Sequence, residues 1–179
     1  DMRYTNIKGG APNTADGSQE SVITADTFKN ATKLKDFRLI SNNLGSGFPT
    51  QKNKIDENAF TFNTNLEILE INSGGSLSGG VSQLFSNNPN LRSLNLTNNS
   101  FTGSPPNFLN NSSLTYVNLS SNQLDGIIPP YSGNIQQLYL QNNQLTQINA
   151  PGTLASLSTY QAHNNAIGGD LSLIHISEP

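Results

Sequence analysis

LTYVNLSSNQLDGIIPP, Leu114 to Pro130, sets the pattern from which the rest of the chain can be read. Within it Leu114, Val117, Leu119, Asn122 and Leu124 stand at offsets 0, 3, 5, 8 and 10. Such spacing describes a short strand of alternating exposure, one buried Asn and then a turn. The same spacing recurs upstream in Leu91, Leu94, Leu96, Asn99 and Phe101, and downstream in Ile135, Leu138, Leu140, Asn143 and Leu145. Leu157, Tyr160, Ala162, Asn165 and Ile167 repeat it again, as do Leu34, Phe37, Leu39, Asn42 and Leu44 near the start. Leu66, Leu69 and Ile71 also fit, but Gly74 replaces the Asn and Leu77 arrives one position late. Successive starts lie 32, 25, 23, 21 and 22 residues apart. Tandem periods of this length indicate stacked coils rather than one central core.

The pattern resembles the leucine-rich repeat, LxxLxLxxNxL, over residues 28–170 in about six repeats. The resemblance implies an α/β solenoid: a horseshoe with a parallel β-sheet on its concave face and short helical, 3-10 or extended turns on its convex face. The segments LDGIIPP and FTGSPP are similar to the plant-type subclass, which continues NxLxGxIP, although the 24-residue spacing and capping cysteines of that subclass are missing. The Asn ladder, Asn42, Asn99, Asn122, Asn143 and Asn165, is scaffold on this reading, since its amides would pair backbone groups that the turn leaves open. Gly74 interrupts the ladder and should be a soft spot.

Phe28, Phe60, Phe85 and Phe108 each stand six residues before a repeat start, so one Phe per coil should pack behind the strand. Thr24 or Asp26 can cap a short helix leading to Phe28, and Asp56 the turn carrying Phe60. The insertion Gly45 to Asn58 accounts for the long first spacing and should bulge as a loop. Residues 1–27 read as a truncated repeat remnant, with Met2, Thr5 and Ile7 at its tail, followed by a loop rich in Gly, Pro and Ser. Residues 171–179, LSLIHISEP, resemble a translated sequencing adapter and are set apart as a non-native tail; a strand opening a seventh repeat is the alternative.

Alternation sends offsets 0, 3 and 5 inward and offsets 2 and 4 outward, so that equivalent outward positions form columns on the sheet. Opposite charges then meet as Lys35 with Glu67, Glu67 with Arg92, and Arg38 with Glu70. Toward the C-terminus the columns become Asn, Gln, Ser and Thr with two tyrosines. Tyr116, Asn118, Tyr139, Gln141, Gln161 and His163 form the candidate binding patch.

Net charge is −3, and charged residues make up 12% of the 179, which offers no basic footprint for nucleic acid. The chain has no cysteine, and hence no disulfide or thiolate site. No apolar run has the length of a membrane span. Titratable residues do not converge: His163 stands among amides, Asp125 and Asp170 are isolated, and Asp16, Glu20 and Asp26 match no calcium loop. No catalytic residue, metal or cofactor is expected, and Gly79-Gly80 and Gly168-Gly169 read as turns. Six N-x-S/T matches, at Asn30, Asn95, Asn98, Asn110, Asn111 and Asn118, are read as compositional.

The resulting expectation is a non-catalytic binding module of a larger surface protein. A protein partner comes first, because the family resemblance implies protein–protein contact, and a glycan second. A passive spacer in a surface or fibre protein, or the targeting domain of an enzyme, are the alternatives. An extracellular or cell-surface location is expected, with a cytoplasmic one also compatible.

Overall fold

Inward side chains three and five residues after each repeat start can be buried together only if successive coils stack in phase. The computed structural model shows that stacking. It describes residues 22–40, 53–72, 77–108, 110–129, 131, 134–148 and 156–168. Asn42, Leu44, Gly74, residues 1–21, the insertion up to residue 52 and the tail 171–179 lie outside the described residues.

The described residues form twelve short strands: β1 (Val22–Ile23), β2 (Asp36–Ile40), β3 (Asn53–Ile55), β4 (Ile68–Asn72), β5 (Leu77–Gly80), β6 (Ser93–Asn95), β7 (Ser100–Gly103), β8 (Tyr116–Asn118), β9 (Gln123–Ile128), β10 (Gln137–Tyr139), β11 (Gln144–Ile148) and β12 (Thr159–Gln161). They pair into two six-stranded sheets, both parallel. Sheet A runs β2-β4-β6-β8-β10-β12, and sheet B runs β1-β3-β5-β7-β9-β11. Each coil thus gives one strand to each sheet, and every neighbour in a sheet comes from the next coil.

In sheet A the register is the repeat itself. Leu69 pairs with Leu94, Leu94 with Val117, Val117 with Leu138, and Leu138 with Tyr160. Leu94 and Val117 are fully buried and Leu138 is 1% exposed, so these rungs line the interior between the sheets. The phenylalanines close the core from the turn side. Phe28 stacks on Phe60 with centroids 5.6 Å apart, and Phe85 on Phe108 at 6.5 Å. Tyr131 succeeds Phe108 in the column at 5.3 Å, an aromatic position that the spacing before Ile135 did not disclose. Burial pushes its phenol pKa up, and drives that of the inward Tyr160 to about 12.

Of the helical, 3-10 or extended turns expected on the convex side, sheet B overturns the helical alternative and keeps the extended one. Among the described residues the sole helical element is the 3-10 turn Ala25–Thr27, where the Thr24 N–H donates to Thr27 Oγ1 at 2.9 Å. The physical reason lies in the residues just after each ladder Asn. Along β9, Leu124 and Ile128 are buried while Gln123, Asp125 and Ile127 are exposed, a period of two that fits a strand and not a helix. Gly126, at φ +72°, supplies the one left-handed residue within it. Pro129 comes next and cannot donate to a ladder. Elsewhere among the described residues helical character survives as isolated turns, such as Asn63 N–H to Phe60 O and Leu66 N–H to Asn63 O, both 3.0 Å.

Sheet B also takes in the end of the insertion. Asn53–Ile55 bridges β1 and β5, and Asp56 Oδ1 then accepts from the Asn58 N–H at 2.7 Å to start the turn toward Phe60. Gly79-Gly80 lies within β5 and is no turn. Gly79 has φ +135°, and a Cβ there would sit 2.4 Å from the Ile55 carbonyl oxygen.

Candidate functional site

Stacked coils leave the outward face of sheet A free, and the register arranges its side chains in rows. One row runs Asn95, Asn118, Tyr139 and Gln161 across β6, β8, β10 and β12; a second runs Ser93, Tyr116, Gln137 and Thr159. Tyr116 and Tyr139 are diagonal neighbours, with ring centroids 5.9 Å apart and planes inclined by 49°. The rings are half-buried, and Asn118 Nδ2 donates to the Tyr116 hydroxyl at 3.3 Å. Asn118 Oδ1 accepts from the Ser120 N–H and from Ser120 Oγ, at 3.1 and 2.6 Å. Amide and hydroxyl therefore hold each other in place, which fixes the phenol beside them.

Gln141 and His163 stand at the strand ends in consecutive coils, where their carbonyls accept from Ser121 N–H at 2.9 Å and Asn142 N–H at 3.1 Å. Gln141 Oε1 is covered and makes no hydrogen bond, while His163 is exposed. The structure thus brings Tyr116, Asn118 and Tyr139 into one contact group, sets Gln161 in register beside Tyr139, and puts Gln141 and His163 along the adjoining edge.

The other half of the face is ionic. Lys35 Nζ lies 2.8 Å from Glu67 Oε1, Arg92 Nε 3.7 Å from Glu67 Oε2, and Arg38 Nη1 3.7 Å from Glu70 Oε2. The bond from Lys35 and its charge, with a further contribution from Arg92, hold the Glu67 carboxyl below the ordinary carboxylate range. Asp36, hydrogen-bonded to Arg38 Nε at 2.9 Å, raises the pKa of that guanidinium. No group of His, Asp and Glu able to hold a metal occurs among the described residues.

Two Asn ladders flank this face. In the first, Asn99, Asn122 and Asn143 are buried, and Asn165 is half-buried. Each donates to carbonyls of its own turn and of the preceding coil, as Asn143 Nδ2 does to Leu140 O and Leu119 O, both at 3.0 Å. The second ladder, Asn63, Asn88 and Asn111, escaped the sequence reading. It lies three residues before the repeat starts Leu66, Leu91 and Leu114, on the turn side, and Asn88 Nδ2 donates there to Phe60 O and Asn63 O at 3.1 and 2.9 Å. The signal was present as Phe-x-x-Asn, in Phe60–Asn63, Phe85–Asn88 and Phe108–Asn111. Asn111 is 2% exposed and donates to Asn88 O, so its N-x-S match is committed to packing.

Among the described residues the chain is a parallel-sheet solenoid whose sheet A presents its outward side chains in regular rows. The family model described as Leucine Rich Repeat matches residues 90–112 and 113–135, the coils that carry β6 to β9. These two matches are consistent with a leucine-rich repeat protein. No curated protein matches the chain. Repeats of this family are typically non-catalytic and generally mediate protein–protein binding.

Proposed function

We propose that this chain is a non-catalytic recognition module that receives a macromolecular partner on the outward face of sheet A, centred on Tyr116, Asn118 and Tyr139. The observation that carries the reading is the tyrosine pair, held in contact at 5.9 Å on a face that no other element of the described chain covers. Large aromatic side chains contribute much of the contact energy of an interface at low entropy cost, and the Tyr116 ring, already held by the Asn118 amide, loses little more on binding. A protein is the partner class that such repeats generally take. A glycan is the second reading, favoured by the missing charge around the tyrosines. We further propose that the module works outside the cell or at its surface, a reading supported by its low charge and its richness in Asn and Thr.

The test is a photo-crosslinking residue at Gln137, which lies in register beside Tyr116, followed by affinity measurement with the captured partner. Tyr116→Ala combined with Tyr139→Ala should weaken binding by about 10-fold or more while leaving the fold intact. Unchanged affinity would reject the patch.

A further inference from the structure

Resting on the reading of sheet A as the binding surface, we propose that its C-terminal half takes an uncharged polysaccharide, laid as an extended chain across the strands. From Leu114 onward, offsets 1, 2, 4 and 6 of each coil carry only Ser, Thr, Asn, Gln, Tyr and one His. A protein interface is enriched in aromatic residues, Met and Arg, and its buried centre is more apolar than its rim. This half offers no aliphatic side chain and no permanent charge at those positions, and its apolar area comes from two tyrosine rings.

A sugar chain needs what is present. Amides donate and accept at once, as do paired ring hydroxyls, so Asn and Gln can meet two adjacent hydroxyls of one sugar. The faces of Tyr116 and Tyr139 suit the C–H face of a pyranose, and the Tyr116 hydroxyl, which accepts from Asn118 Nδ2, keeps its own O–H to donate at the rim. Gln141 Oε1, at the edge of this half, is a covered acceptor without a protein partner, which an O–H donor would satisfy. Rungs of a parallel sheet recur every ~4.8 Å, close to the length of one pyranose ring. A chain running across β8, β10 and β12 would therefore meet one outward pair at each step, Tyr116 with Asn118, Gln137 with Tyr139, and Thr159 with Gln161. The ionic half, with Lys35, Glu67 and Arg92 already paired to one another, would contribute little to a neutral ligand.

Affinity electrophoresis of the full chain through gels containing soluble β-glucan, mannan or xylan tests this, with a polyuronate gel as the anionic control. Retardation by at least one neutral polysaccharide is expected, unchanged between low and high salt because no ion pair is made. Tyr116→Ala and Tyr139→Ala should each weaken it about 10-fold, whereas Tyr116→Phe and Tyr139→Phe, which keep the ring, should stay within about 3-fold. Circular dichroism confirms that the variants fold. Retardation by the polyuronate alone, or abolished by salt, would overturn the proposal. So would the absence of any neutral retardation; if a protein then crosslinks at Gln137, the face remains the binding surface and only the glycan is wrong. Neutral retardation that survives both Tyr→Ala changes would instead overturn the face itself.

Discussion

Asn122 answers for four backbone groups at once. Its Nδ2 reaches Leu96 O at 2.9 Å and both Leu119 O and Ser120 O at 3.1 Å, and its Oδ1 accepts from the Phe101 N–H at 3.1 Å. Replacing it by Ala strands buried peptide groups in two coils. Asn122→Ala should therefore cost about 2–4 kcal/mol, read as a lowered midpoint in chemical denaturation. The exposed neighbour Asn142, which bonds only the Ser121 hydroxyl and Asn164 through its side chain, should cost well under half of that when changed to Gly. Residue after residue in that column is left-handed: Asn98, Ser121, Asn142 and Asn164 have φ of +59°, +56°, +58° and +55°. Asn tolerates that conformation better than most residues do, so the doublets in TNNS, QNNQ and HNNA set one Asn to turn the chain and the next to pair its carbonyls.

At the scale of elements, sheet B depends on one close approach. Gly79 brings its backbone against the Ile55 carbonyl, where a Cβ would stand 2.4 Å away. Gly79→Ala should destabilise by about 2–4 kcal/mol, while Gly80→Ala, which meets nothing within 4 Å, should be close to neutral. Thermal melts of the two variants distinguish the positions. Sheet A responds instead to pH. The folded Glu67 pKa is depressed below its ordinary 4.5, so the contribution of this carboxylate is complete above pH 4.5 and fades as pH falls through the folded value. Glu67→Gln should flatten the acid side of the stability profile, and high salt should do the same to the parent protein because the half-buried group is still open to solvent ions. Equal acid slopes for parent and variant at low salt would show that the pairing with Lys35 and Arg92 carries no weight.

For the whole molecule, stacking without a central core makes stability a sum over coils and their interfaces. Strands at the middle of sheet A have a neighbour on both sides, and β2 and β12 end the described sheet. Hydrogen exchange should be slowest in β6, β8 and β10 and fastest in β12, where Leu157 and Ile167 are only partly buried. Uniform protection across all six strands would mean that the coils unfold as one cooperative unit.

Leucine spacing was enough to establish the rungs of sheet A, their inward and outward faces, the phenylalanine column and the ion pairs of Lys35, Glu67 and Arg92. Each is a consequence of periodicity: once coils stack in phase, offset alone says what a side chain touches. Spacing could not say how the return half of each coil would run. LDGIIPP admits either a turn or a strand in isolation, and it becomes β9 because β7 and β11 lie alongside to take its hydrogen bonds. The same dependence on neighbours governs Gly79-Gly80, which reads locally as a turn yet pairs within β5, and the Asn63, Asn88 and Asn111 ladder, whose partners belong to the coil before. The contact between Tyr116 and Tyr139 also belongs to tertiary structure. Two tyrosines that sit 23 residues apart meet only because parallel register carries offset 2 of one strand diagonally past offset 4 of the next.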